Sequence, residues 1–169
     1  NTWFTYFPED YRWSAALCGM LSGARFGATE IGELDQVGRR LSKKLGDDNH
    51  WFREWVRMAD HVRGLGLAAE RKKQSLSACS HYLRACNYYQ MAERFRTPKD
   101  KLAIDAFKKG VNCFHRFTRL TDRPKIEIVE VSFEGRKKLP GYFVHAQNTK
   151  KAKPPVVVFF AGLDVTKEL

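Results

Sequence analysis

Long apolar runs are missing from this sequence. The longest, Val156 to Leu163 with its glycine included, falls far short of the about 18 residues a membrane-spanning helix needs, so no helical membrane protein is expected. No signal-peptide core opens the chain. Cysteine is scarce. The four present, Cys18, Cys79, Cys86 and Cys113, are too few and too scattered for a disulfide framework. No C-x-x-C and no histidine pair at i, i+4 occurs, so no metal site is expected. Cys79 and Cys86 share one face of a helical pattern and read as buried free thiols, which points to a reducing, cytoplasmic compartment. Low-complexity segments and convincing repeats are also absent, which excludes collagen-like, mucin-like and wholly disordered chains.

What is present is an ordinary globular composition: 169 residues, 43% hydrophobic and 29% charged. Folding at this length buries roughly 70% of the extended-chain surface, enough for a core without covalent staples. The net charge of +11 raises the question of a nucleic-acid partner. Placement argues against one. Arg39-Arg40, Lys43-Lys44, Arg71-Lys72-Lys73, Arg136-Lys137-Lys138 and Lys150-Lys151 fall at predicted turns and segment ends, and no recognition-helix or RNA-binding aromatic signature accompanies them. Solvated surface charge is the simpler account, and no nucleic-acid or membrane partner is expected.

Two patterns meet near Pro124. The first residues, through Phe7-Pro8, read as an extended aromatic arm. Five glycines between Gly19 and Gly38 read as breaks, with Gly23 to Gly27 as a turn that lacks the spacing of a phosphate-binding loop. Asp47-Asp48-Asn49 supplies N-cap residues for a helix carrying Trp51, Trp55, Met58 and Val62. A longer helix is predicted over 74–96, with Leu76, Cys79, Leu83, Cys86 and Tyr89 as its stripe. Thr97 at the N-cap, Pro98 at the first helical position and Asp100 beyond predict the next start, and that helix runs to about Leu120. The two long helices form an antiparallel hairpin, compatible with a tetratricopeptide-like interaction module as the competing reading.

After Pro124 the period shortens to that of strands. Ile126 and Ile128, then Val129, Val131 and Phe133, alternate in two phases, which predicts a bulge near Ile128. A turn at 134–138 leads to a second strand over 139–145. The third, over 156–160, is apolar at every position, as in a strand buried on both faces in the middle of an α/β sheet. Such a strand needs neighbours, and few residues follow it, so the chain is expected to continue or to be completed by another.

Several segments together resemble one branch of the α/β-hydrolases, the 2,6-dihydroxypseudooxynicotine hydrolase-like and polyketide-processing enzymes. They are Phe7-Pro8 to Trp13-Ser14, the helical Tyr82 to Tyr89 with Ala92-Glu93, Leu139-Pro140-Gly141-Tyr142-Phe143, and Gly162-Leu163-Asp164-Val165-Thr166-Lys167-Glu168. The resemblance implies an α/β fold. Residues 1–123 would form a helical cap, and 124–169 would begin the hydrolase core with strands at about 126–133, 139–145 and 156–160. It implies a cofactor-free serine hydrolase cleaving a C–C bond next to a ketone, or an acyl bond, in an aromatic or polyketide-like substrate. A homodimer, with the remainder of the core as a further partner, comes from the same resemblance. No G-x-S-x-G occurs in the chain, and Met20-Leu21-Ser22-Gly23 follows no strand. The triad is therefore expected beyond Leu169, and this chain alone is expected to be inert.

The resemblance also assigns site residues. Gly162 and Leu163 are expected to offer backbone N–H groups to an oxyanion, although a plain strand-to-helix turn accounts for the same glycine. Asp164 and Thr166 either contact substrate or cap the next helix, and capping is the commoner role. Tyr88, Tyr89, Asn87 and Glu93 on one helix, with Trp13, Trp51 and Trp55, are candidates to line the substrate cavity, whereas aromatic residues at helical spacing are ordinarily core. The five histidines pair with no nucleophile in sequence.

Overall fold

A computed structural model of the protein describes residues 5–151, 153–162 and 165–168. Five helices precede one β-hairpin: α1 (Tyr11–Ser22), α2 (Ile31–Leu41), α3 (Asp48–Arg71), α4 (Ser75–Glu93), α5 (Lys101–Leu120), β1 (Ile126–Phe133) and β2 (Lys137–Val144). Four helix starts are fixed by a carboxylate that accepts a backbone N–H of the first turn. Asp10 takes that of Trp13, Glu30 that of Glu33, Asp47 those of Asn49 and His50, and Asp100 that of Ala103. Negative charge at a helix N-terminus also meets the positive end of the helix dipole. The cap of α5 is thus Asp100 and not Thr97, as the sequence pattern had suggested. Asp100 also receives Arg96 through both oxygens, and this ion pair, with the Ala103 N–H, lowers its carboxyl to about 2.

The glycine-rich stretch does not break the chain as expected. Gly19 lies within α1, and Gly32 and Gly38 lie within α2; the interruption is confined to a 3-10 turn, Gly23–Phe26, closed by Gly27 in the left-handed region. Packing outweighs the roughly 1 kcal/mol that a helical glycine costs. At Gly38 the gain is specific, because an added Cβ would stand 2.5 Å from the Tyr6 ring. That ring lies across α2, and its hydroxyl donates to Asp35 Oδ1 at 2.7 Å. Gly38→Ala is expected to add about 1 kcal/mol of helix propensity and to lose more by displacing Tyr6, for a net cost of about 1 kcal/mol. In a Tyr6→Ala background the same substitution should stabilise, and chemical denaturation of the four proteins of this cycle tests the sign.

The core is aromatic. Ring centroids step from Phe7 to Trp13 at 5.7 Å, Trp13 to Trp51 at 5.0 Å, Trp51 to Trp55 at 5.8 Å and Trp55 to Tyr88 at 5.5 Å, joining the N-terminal arm to α1, α3 and α4. The arm is held by Ser14, whose hydroxyl accepts the Phe7 N–H and donates to the Phe7 carbonyl. α4 runs between α3 and α5 and is buried nearly all round, through Ala78, Cys79, Tyr82, Ala85, Cys86 and the run Asn87–Gln90. Leu76, placed by periodicity on its apolar stripe, is instead 89% exposed in the first turn, before α4 enters the core. Cys18 is half-buried, the other three cysteines are buried, and all four are free.

β1 and β2 pair antiparallel in one uninterrupted register, from Ile126 opposite Val144 to Phe133 opposite Lys137. The expected bulge at Ile128 is absent. The two phases of apolar residues mark the two faces of a flat pairing: Ile126 and Ile128 on one, Val129, Val131 and Phe133 on the other. The first face meets α5, where the Tyr142 ring packs edge-on against Phe114 at 4.8 Å. Residues 156–160 form no strand pairing among the described residues, and their side chains are 70–88% exposed, so the predicted third strand is not formed. Apolar content at every position suits a strand buried on both faces, but nothing described here supplies the neighbours that would pair with it. No helix among the described residues is long and apolar enough to cross a membrane.

Candidate active-site cleft

Small residues on one face of α1 open a cleft. Ala15, Ala16 and Gly19 recur at helical spacing, and an added Cβ at Gly19 would meet nothing within 4 Å. The space, about 750 Å³, is bounded by this face, by α4 through Leu83, Asn87, Gln90 and Met91, and by Val165, Thr166 and Glu168. Phe26 stands at its mouth on the 3-10 turn, 74% exposed. A volume of this size, mostly apolar with few polar groups, suits an organic molecule of moderate size.

The polar groups of the floor are committed to neighbours. The Asn87 amide donates to the Ala28 carbonyl at 2.8 Å and to Thr29 Oγ1 at 2.9 Å. Gln90 Nε2 points to Cys86 Sγ at 3.6 Å, while its Oε1 accepts the Thr166 hydroxyl at 2.7 Å. Glu168 is 3% exposed. Its Oε1 accepts the Tyr142 hydroxyl at 2.8 Å and lies 3.0 Å from Lys167 Nζ, while His115 Nε2 stands 3.1 Å from the same hydroxyl. Because Tyr142 donates its proton to Glu168, His115 must donate to Tyr142 through Nε2. Burial alone would raise the Glu168 carboxyl; hydrogen bonds from Lys167 and Tyr142 win and hold it below its usual value. Burial lowers His115, so its neutral form is favoured.

No nucleophile is primed in this cleft among the described residues. Ser22 lines it, but its hydroxyl donates to the Gly19 carbonyl at 2.7 Å and not to a histidine. Burial pushes the Cys86 thiol well up and the Cys113 thiol to about 12, far from thiolate formation at neutral pH. Among the described residues no group of three or more His, Cys, Asp or Glu is placed to hold a metal ion.

The residues singled out from sequence are dispersed. Trp13, Tyr88 and Tyr89 have no exposed surface and do not line the cleft. The Trp13 indole donates to Asp48 Oδ1 at 3.1 Å, Tyr88 donates to Glu33 Oε2 at 2.6 Å, and Tyr89 donates to Asp60. Gly162 is exposed, and an added Cβ there would meet nothing within 4 Å, while Leu163 and Asp164 lie outside the described residues. Thr166 does line the cleft, bonded to Gln90, with no helix following it among the described residues. Asn87 and Glu93, weighed beside the tyrosines on the same helix, do line the cleft, whereas sequence reasoning missed Gln90, whose signal was an amide one helical turn from Asn87 in the buried half of α4.

The profile of the FrsA-like esterase family matches residues 42–168, which include most of the helical layer, the hairpin and the cleft's far wall. The chain belongs to this family of α/β-hydrolases. Curated relatives agree with the FrsA-like assignment along nearly the whole chain. The alpha/beta hydrolase xenA of Xenoacremonium sinensis is 29% identical over 98% of this chain and 38% of its own length. The hydrolase acrC of Aspergillus aculeatus is 29% identical over 98% of this chain and 41% of its own. The 20-hydroxy-prefusarin hydrolase of Gibberella moniliformis is 31% identical over 88% of this chain and 36% of its own. The FrsA-like chain described here therefore spans 36–41% of the length of these relatives.

Proposed function

We propose that these residues form the helical cap and leading strands of a serine hydrolase that cleaves an acyl bond, or a C–C bond next to a ketone, in a bulky aromatic or polyketide-like substrate. The observation that carries the reading is the apolar cleft of about 750 Å³ between α1 and α4, closed by the same Val165 to Glu168 loop that resembles the oxyanion loop of the family. The cleft would hold the substrate's apolar body and exclude water from the reacting carbonyl. Amide N–H groups of Gly162 and Leu163 would face the oxyanion, with Asp164 as a substrate contact at the same loop. A serine outside these residues would attack the carbonyl and a histidine would pass its proton to the leaving group. Water then releases the acyl group, with no cofactor. Support for the sheet comes from Val131, Phe133, Leu139, Phe143 and residues 156–160, all exposed here, an apolar surface suited to further strands and helices. Sequence relatives whose names are hydrolases point the same way.

Full-length protein carrying these residues tests the proposal with a fluorophosphonate probe and a series of aryl esters. The expected result is one labelled serine outside residues 1–169, labelling that survives Ser22→Ala, and ester hydrolysis abolished by the label. A folded full-length protein that takes no label and hydrolyses no ester would sink the reading.

A further inference from the structure

The loop that closes the cleft is tethered twice, once to α4 and once to β2. Thr166 bonds to Gln90 of α4 at 2.7 Å. Glu168 bonds at 2.8 Å to Tyr142 of β2, which His115 of α5 holds from the other side at 3.1 Å. The second tether is chemically expensive. A carboxylate whose side chain is fully buried keeps its charge only through the donors around it; Tyr142 and Lys167 meet Oε1, and the Thr166 hydroxyl adds to them. Oε2 is buried without a partner. An apolar residue would fill this position without an unsatisfied oxygen, so the carboxylate is accounted for by the contact it makes through Oε1. That contact joins the cleft's far wall to the hairpin and, through His115, to α5.

We propose that Glu168 is a positioning residue that sets the width of the cleft and so selects substrates by bulk. The proposal rests on reading the cleft as the substrate site. With Glu168 in place, Val165 and Thr166 are held opposite the small-residue face of α1. Without it only the Thr166–Gln90 tether remains, and the wall can swing outward. A bulky ligand then loses contact on one side, whereas a small one that never reached this wall loses nothing.

The test uses the full-length protein and two esters, naphthyl acetate as the bulky substrate and ethyl acetate as the small one. Glu168→Leu is expected to raise the KM for the naphthyl ester about tenfold relative to the KM for ethyl acetate. Glu168→Gln keeps an acceptor for Tyr142 and is expected to rescue most of the effect, leaving KM within about threefold of the parent. Tyr142→Phe, which cuts the same tether without emptying a buried site, is expected to match Glu168→Leu, and the double variant to be no worse than either. An unchanged KM in folded Glu168→Leu overturns the proposal, as does an equal fall in kcat for both esters. If the parent protein hydrolyses neither ester, the hydrolase reading has failed, and equilibrium binding of naphthol, followed by its fluorescence, decides this one separately. Binding weakened about tenfold in Glu168→Leu and Tyr142→Phe supports the tether; equal binding by all variants overturns it.

Discussion

Trp51→Ala is expected to cost the protein about 3–5 kcal/mol, the largest effect of any single truncation in the core. Trp51 has no exposed surface and touches three other large rings, Trp13, Trp55 and Phe95, with centroids 5.0, 5.8 and 4.9 Å away. Its indole N–H donates to the Met91 carbonyl at 2.8 Å, near the end of α4 where the helical ladder stops. Truncation therefore removes the middle of the aromatic path, leaves a large void and orphans a carbonyl. Against a total stability of roughly 5–15 kcal/mol, that loss brings the chain close to unfolding. Trp51→Phe keeps most of the volume and is expected to lose about 1–2 kcal/mol, mainly through the hydrogen bond. Leu76→Ala, at a position 89% exposed, serves as the control and should change stability by less than about 0.5 kcal/mol. Denaturant titration with an unchanged slope is the measurement, and a loss below about 1 kcal/mol in Trp51→Ala would show that the aromatic path is not packed as described.

Alkali is expected to unfold the protein through its phenols. Five tyrosine hydroxyls donate to carboxylates: Tyr6 to Asp35, Tyr82 to Glu70, Tyr88 to Glu33, Tyr89 to Asp60 and Tyr142 to Glu168. In each the phenol is raised, first by burial and then by the adjoining carboxylate, to about 12 for Tyr6 and Tyr82 and further for the other three. A group whose folded value lies above its unfolded one stabilises the fold fully below the unfolded value and ceases to do so as pH rises through the folded one. The melting temperature should therefore hold until pH 10 and fall steeply from there to about 12 and beyond. Tyr82→Phe removes one of these groups and should make that fall shallower, while costing about 1 kcal/mol at neutral pH because Glu70 keeps only Arg116 at 2.7 Å. Asp35, Glu70 and Glu168 act in the opposite sense. Their lowered values mean that the stability they contribute is present above the unfolded value and lost as pH falls through the folded one. Thermal melts across pH, with phenolate absorbance followed in parallel, separate the two limbs. An alkaline limb unchanged by Tyr82→Phe would contradict the assignment.

Helix existence was legible where capping and periodicity agreed. Asp47 before Trp51, Trp55, Met58 and Val62 gave α3 its start, although not its full length to Arg71. Gly19, Gly32 and Gly38 hid α1 and α2, because their compensation comes from residues distant in sequence, such as Tyr6 lying on Gly38. The third strand failed for a related reason. Composition at 156–160 reports what environment those side chains suit, and pairing requires a neighbour that local sequence does not contain. Of the site, Val165, Thr166 and Glu168, which line the cleft, fall in a segment that the resemblance to a family motif had singled out. The cleft itself was not, since it is made by what α1 leaves out, and a run of small residues has no signature beyond helical spacing. Tyr88 and Tyr89 stood out because they are large, yet α4 turns both toward the core and offers the cleft Asn87 and Gln90.

The carboxylates carry a consequence for the molecule's outer field. Asp10, Glu30, Asp47 and Asp100 are spent on helix starts, and Asp35, Glu33, Asp60, Glu70 and Glu168 on phenols. Nearly half of the 19 acidic residues are thus engaged inside the architecture, against 30 lysines and arginines. The excess of +11 is in this sense a remainder: acids are occupied by helix starts and hydroxyls, some of them also by arginines such as Arg84, Arg96 and Arg116, and the remaining cations outnumber the remaining acids. A net excess of one sign keeps copies of a protein apart in dilute buffer and concentrates counter-ions near it, an influence that fades over a Debye length of about 8 Å at physiological ionic strength.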